Sequence, residues 1–191
     1  HSNEPKGDGV NETVITLKDD KYPVTVKLHY IAYGKENIIR TFSEISHQEK
    51  KPITLSKYAS SMLHLNSSRY FLTGDWAHEA NITERELDFG KKVVDTKLGT
   101  RANLFVSPFF QLSLGNPSQE NAGEVLVGTL GWTGNFRFIF EVDNKNELRI
   151  ISGINPYASE YKLPANEVFR TPDFYFTYSC QGKGEASRSF H

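Results

Sequence analysis

Cysteine is nearly absent from this 191-residue chain: Cys180 stands alone, so no intrachain disulfide can form and no thiolate cluster is available to a metal. A charge excess of either sign is lacking too, since 22 Lys and Arg face 23 Asp and Glu for a formal net charge of −1. That balance withholds the basic surplus needed to neutralise a phosphate backbone, and nucleic-acid binding is disfavoured. No stretch approaches the ~20 apolar residues of a membrane span, and the polar opening from His1 to Asn11 has no apolar signal-peptide core. Fixed-period repeats are missing as well. What remains reads as a soluble chain with no membrane or nucleic-acid partner and no implied cofactor, its compartment open. At 21.7 kDa, area scaling gives ~9,000 Å² exposed when folded against ~31,000 Å² unfolded, so a hydrophobic core can carry the fold without staples.

Aromatic residues make up 13% of the chain, thirteen Phe and nine Tyr among them, set in short runs with Val, Ile and Thr. Gly, Pro, Asn and Asp break these runs, which is strand and turn chemistry. Val24, Val26, Leu28 and Tyr30 alternate with Thr25, Lys27 and His29, predicting one apolar and one wet face. Phe136, Phe138, Phe140 and Val142 repeat the pattern, and the turn at 143–146 leads into Leu148, Ile150, Ser152 and Ile154 as a hairpin. With 125–132 ahead of it, linked through Thr133-Gly134, three consecutive antiparallel strands are expected. Further strands are expected at 13–17, 38–45, 53–65, 70–73, 104–114 and 174–178, too close for crossover helices. Thr83-x-x-Glu86 has capping-box spacing, but the segment to Gly90 is short of apolar anchors and is read as an extended loop. Ala186 and Phe190, four apart, predict a helix starting after Gly184. The fold class is therefore all-β, an antiparallel two-sheet sandwich with few or no helices. Residues 1–12 are expected to be a disordered tail or an appended remnant, 13–182 the domain, and 183–191 the start of a helix.

Few motifs carry chemistry. Gly128, Gly131 and Gly134 have the spacing of a phosphate cradle, yet lie between strands rather than before a helix, and read as turn and crowding glycines. Gly182-Lys183-Gly184 lacks the rest of a P-loop. None of the six histidines is spaced i,i+2 or i,i+4 from another, so no metal site is expected. Ser189 and His191 lack the strained elbow of a nucleophile. Asp75, Glu79, Glu84 and Glu86 crowd around Trp76 and His78. Two carboxylates beside an aromatic face would suit glycoside chemistry, or else form a solvated loop. N-x-S/T sequons begin at Asn11, Asn66 and Asn81 and say little about compartment.

The stretch Leu72-Thr73-Gly74-Asp75-Trp76-Ala77-His78-Glu79, followed by Arg85, Leu87 and Gly90, resembles the G-x-W-x-R-E…R-x-L…G signature of the amino-terminal domain in glycoside hydrolase family 36, the retaining α-galactosidases. Further blocks match in order: 97–101, Ser107-Pro108-Phe109-Phe110, 123–125, Gly131-Trp132-Thr133-Gly134-Asn135-Phe136, Gly153-Ile154-Asn155-Pro156 and 186–191. The resemblance spans Thr13 to His191. It implies a galactose mutarotase-like β-supersandwich preceding a catalytic (β/α)₈ barrel that holds both catalytic aspartates and is absent here. His78 replaces the family's Arg, and Ala102-Asn103-Leu104 replaces a more polar stretch.

The expected function is the non-catalytic sandwich domain of an α-galactosidase, with no catalytic residue of its own, bracing the barrel and an oligomer. Its expected partners are that barrel, α-galactosides reached through the parent enzyme, and further copies in a homo-oligomer. Trp76, Glu79, Arg85 and Arg101 are the expected structural or interface residues. One alternative is a free-standing carbohydrate-binding module in which Trp76 or Trp132 stacks on a sugar. Another is a mutarotase-like epimerase, which needs a His and a carboxylate facing each other across a sheet, with His29 and His64 as candidates.

Overall fold

The computed structural model describes residues 1–74, 83–97 and 107–190. Among them the chain is almost entirely strand, arranged as a large and a small antiparallel sheet. The large sheet runs in the order β1 (Ser2–Gly7), β2 (Val10–Lys18), β3 (Val24–Tyr33), β4 (Ile38–His47), β16 (Phe174–Ser179), β11 (Glu124–Leu130), β10 (Phe109–Leu114), β7 (Tyr70–Gly74), β8 (Thr83–Glu86), with β15 (Val168–Arg170) also pairing β4. The small sheet runs β6 (Ser61–Asn66), β13 (Glu147–Ile154), β12 (Phe136–Val142), β9 (Gly90–Asp95). β5 (Ile53–Leu55) and β14 (Tyr161–Leu163) form a two-stranded pair, and α1 spans Lys183–Arg188.

The core lies where the small sheet faces the middle of the large one. Period-two alternation turns Phe136, Phe138, Phe140 and Val142 inward from β12 beside Leu148 and Ile150 of β13. The large sheet answers with Tyr70, Leu72, Phe110, Leu112, Leu126, Leu130 and Phe174. Phe110 meets Phe138 and Phe140 edge-on, with ring centroids 5.2 and 5.1 Å apart, the arrangement that the ring quadrupole favours. Each such ring contributes about 2–3 kcal/mol by leaving water. Gly128 lies among these rings: a Cβ there would come within 2.6 Å of Phe110 and 2.7 Å of Phe174, so glycine is what lets the aromatic layer close. The reading of Gly128 as a crowding glycine thus has a physical cause.

Several expectations meet a different structure. Residues 2–12, expected within a tail, form β1 and the start of β2. Asp8 and Gly9 turn the hairpin with φ of +40° and +85°, so a composition suited to disorder serves a tight turn instead. The strands at 125–132 and 136–142 do not pair: β11 lies in the large sheet and β12 in the small one, and 131–135 crosses between them. The run 53–65 splits into β5, which pairs β14, and β6, which pairs β13, and ahead of β6 the carbonyls of Ala59 and Ser60 accept from the Ser43 and Thr41 hydroxyls of the large sheet. Thr83–Glu86, expected as a loop, is the edge strand β8. It needs only β7 as a partner and is tied there by a two-point contact of Arg69 to Glu86 at 2.6 Å. α1 seats Ala186 and Phe190 on Val125 and Val127, the apolar pair that the spacing indicated.

The flank β1 to β3 extends past the small sheet, and on β3 the expected wet face is exposed only at Lys27, since His29 is half-buried with its ring stacked on Phe42 at 4.3 Å. Total accessible surface is 11629 Å², about a quarter above the ~9,000 Å² of a compact chain of this mass.

Candidate functional site at one end of the sandwich

Register gathers the candidate segments at one end of the sandwich. In the large sheet Thr73 lies opposite Gln111, Phe109 opposite Thr129, and Thr129 opposite Tyr175. In the small sheet Asp95 lies opposite Arg137, and Arg137 opposite Gly153. Strand β9 ends and β10 begins at this end, and 131–135 joins the two sheets here, so Gly74, Thr83, Lys97, Ser107, Trp132 and Asn155 share it. Trp76, Glu79 and Arg101 lie outside the described residues. The segments that bear them are anchored here, at 74 and 83 and at 97 and 107.

A buried asparagine organises the small-sheet side. Asn155, 1% exposed, donates through Nδ2 to the Thr96 carbonyl at 2.9 Å and to Asp95 Oδ2 at 3.2 Å, and accepts from the Tyr157 amide at 3.1 Å. Arg137 reaches the same Asp95 oxygen at 3.4 Å. Lys97 places its ammonium 5.1 Å above the Tyr157 ring, within cation–π range. On the large-sheet side Asp173 joins Arg40 at 3.1 Å and Arg170 at 2.5 Å, while its carbonyl accepts from Gly131. Burial, with Asp173 beside it, holds the Tyr175 phenol above its ordinary range. Both carboxylates are held by guanidinium groups, which suits bracing rather than proton transfer. Sequence reasoning missed Asp95, Arg137, Asn155 and Asp173. Only the Gly-Ile-Asn-Pro block pointed towards one of them.

Of the carboxylates grouped around Trp76, the two described ones are structural. Glu84 accepts from the Ser113 hydroxyl at 2.7 Å and lies 3.6 Å from Lys183, tying β8 to β10 and α1. Glu86 is held by Arg69. Arg85 sits in register with Leu72 yet is exposed, because β8 is an edge, and among the described residues it has no ion-pair partner. Trp132 is 39% exposed, its indole folded over the α-carbon of Gly134. One indole therefore offers part of its surface to solvent.

Both histidines considered for acid–base work have carboxylate neighbours. His29 Nδ1 lies 2.9 Å from Glu12 and Nε2 3.3 Å from Glu44; His64 Nε2 lies 3.1 Å from Glu147. Each imidazole touches its carboxylate directly, leaving no space for a sugar between acid and base. Among the described residues no group of three or more His, Cys, Asp or Glu could hold a metal.

The model of the "Glycosyl hydrolase family 36 N-terminal domain" matches residues 2–164. Alpha-galactosidase Mel36A of Lactobacillus acidophilus is 27% identical over 194 residues, covering 100% of this chain and 26% of that protein. Alpha-galactosidase 2 of Hypocrea jecorina is 30% identical over 185 residues, 95% of this chain and 24% of that one. The crystal structure of the α-galactosidase AgaA from Geobacillus stearothermophilus superposes with a TM-score of 0.87 at 26% identity, over 100% of this chain and 27% of that one. The chain thus spans about a quarter of the length of these relatives.

Proposed function

The chain belongs to the glycosyl hydrolase family 36 N-terminal domains, and from that membership we propose that it is the non-catalytic β-supersandwich of a retaining α-galactosidase. In this reading the parent enzyme cleaves terminal α-galactosides through a covalent intermediate formed in a separate catalytic barrel. The sandwich braces that barrel and the assembly of subunits. The observation that carries the reading is the match of residues 2–164 to a family model described as an N-terminal domain. The geometry supports it: Asp95 and Asp173 are clamped by arginines, and Glu84 and Glu86 tie strands together. Trp76, Glu79, Arg85 and Arg101 are assigned to the contact with the barrel or a neighbouring subunit. A chromogenic α-galactoside tests this. The 191-residue chain alone should show no turnover, and turnover by it would overturn the assignment.

The partial exposure of Trp132 favours a second reading, a carbohydrate-binding module that stacks this indole on a sugar ring. Calorimetry with galactosides decides it. Binding lost in Trp132→Ala with the fold intact supports the module, and no heat with the unaltered chain removes it.

A further inference from the structure

A histidine set between two carboxylates ties three neighbouring strands on the face of the large sheet turned away from the small one. His29 of β3 lies opposite Phe42 of β4, its ring only 9° from parallel with the phenyl. Its Nδ1 is 2.9 Å from Glu12 of β2 and its Nε2 3.3 Å from Glu44 of β4, all three side chains being mostly buried. Nε2 is sealed from water and makes no aligned hydrogen bond, so the Glu44 carboxylate is what it faces. A neutral imidazole carries one N–H; whichever nitrogen holds it, the other turns a lone pair towards a carboxylate. Only the doubly protonated ring suits both neighbours, and its positive charge also suits the face of Phe42.

The other charges around this ring balance. Lys6 of β1 holds Glu12 at 2.9 Å and touches Glu4 at 3.6 Å, and Lys27, two residues along β3, stands in register with Glu44. Beyond Phe42, Arg170 and Arg40 lie 3.9 and 5.4 Å from its ring centre, and both are engaged by Asp173. Four carboxylates thus stand among four cations, and direct contact leaves Glu12 and Glu44 as the groups that the ring answers to. The strands so joined have little else to hold them. Among the described residues, neither buried apolar cluster takes a side chain from β1 to β4, and Ile15 and Leu17 of β2 are exposed. A single layer held by its ladder and one polar cluster can open locally while the two-sheet core stays closed.

We propose that His29 is a proton-operated clasp: charged, it locks the seam between β3 and β4, and on losing its proton it loosens that seam and with it the flank β1 to β3. The neutral ring keeps its closer bond to Glu12 and turns its lone pair on Glu44, which is why the β3–β4 seam is the one that gives. The closed seam binds the proton, so its stability is present at lower pH and is lost as pH rises. In acid the contact fails from the other partner, since Glu12, held below its ordinary 4.5, finally takes up a proton. Closure is confined to the window between those two events. The clasp rests on the fold alone and not on the galactosidase reading.

Amide hydrogen exchange of the 191-residue chain, corrected for the intrinsic effect of pH, tests it at about pH 5.5 and about pH 8. Protection of the β3–β4 ladder should fall by about tenfold at the higher value, inside the roughly tenfold per pH unit that one proton allows, while that of β12 and β13 stays level. His29→Gln, which cannot titrate, should show none of this fall. Glu44→Gln offers an amide donor to Nε2, satisfies the neutral ring and should remove most of it. The ring-nitrogen shifts of the unaltered chain give a reading that needs no variant: both nitrogens should carry protons at about pH 5.5. A seam equally protected at both values overturns the proposal, as does a fall shared by β12 and β13. An undiminished fall in either variant, or a ring with a single proton at the lower value, overturns it too.

Discussion

Replacing Asn155 by alanine removes the side chain that links the end of β13 to β9 and to the following loop. Its amide makes three hydrogen bonds, to Thr96, Asp95 and Tyr157. The Thr96 carbonyl belongs to a residue only 7% exposed, so stranding it costs on the order of 1–3 kcal/mol. Asp95 keeps Arg137 and water reaches Tyr157, so those two losses are smaller. The whole should amount to about 3 kcal/mol. For a chain of this size that lowers Tm by roughly 6–12 °C and the urea midpoint by about 1–2 M. Asn155→Asp should be no milder, because it turns a donor towards Asp95 into a like charge. The assay is urea unfolding followed by tryptophan fluorescence and by far-UV circular dichroism. A loss under about 0.5 kcal/mol in Asn155→Ala would refute the view that this residue organises the end of the sandwich.

Gly128→Ala should destabilise by about 2–3 kcal/mol, the upper range for overpacking, because the rings it meets are buried. Gly131→Ala, whose Cβ would find nothing nearer than 3.4 Å, should cost clearly less, and equal losses on denaturation would contradict the crowding argument. His29 first and Lys6 second, by hydrogen bonding, hold the Glu12 carboxyl below its ordinary 4.5. Its contribution is therefore complete above that value and fades as acid carries the pH down through the depressed one. Glu12→Gln should flatten the acid limb of stability against pH, and an unchanged limb argues against the contact. A hydrogen bond to Glu124, helped by burial, pushes the Tyr178 phenol up to about 12. Stability from this contact is present below the ordinary tyrosine value of 10.0 and lost as pH rises through about 12. Tyr178→Phe should delete the corresponding step from the phenolate absorbance titration, and a profile that merely scales down would count against it.

The alternation of Phe136, Phe138 and Phe140 made the core strand legible, because period two leaves one buried face whatever the partner. The partner itself was not legible. β11 and β12 are neighbours in sequence with equally strong patterns, yet 131–135 sends them to different sheets, and alternation does not encode which neighbour a strand takes. The opening hairpin was missed for a related reason: Asp and Gly signal a turn as readily as disorder, and only the pairing of β1 with β2 decides. Asp95, Arg137 and Asn155 escaped because they meet across 42 and 60 positions of sequence, and Asp173 because its contact with Arg40 crosses the whole domain while the one with Arg170, three positions away, looks like any surface pair. Family blocks did better, since Gly-Trp-Thr-Gly-Asn and Gly-Ile-Asn-Pro both fall at the end of the sandwich where the candidate segments are anchored.

In the proposed reading, this chain supports chemistry performed on another part of the parent enzyme. Complementation measures that directly: the 191-residue chain and the remainder of the parent polypeptide are produced separately, then mixed, and α-galactoside hydrolysis is followed. The expected result is an inert sandwich, a remainder that is weak or short-lived alone, and restored, lasting activity in the mixture. Hydrolysis by the sandwich itself, or a remainder equally active and stable without it, would contradict the claim.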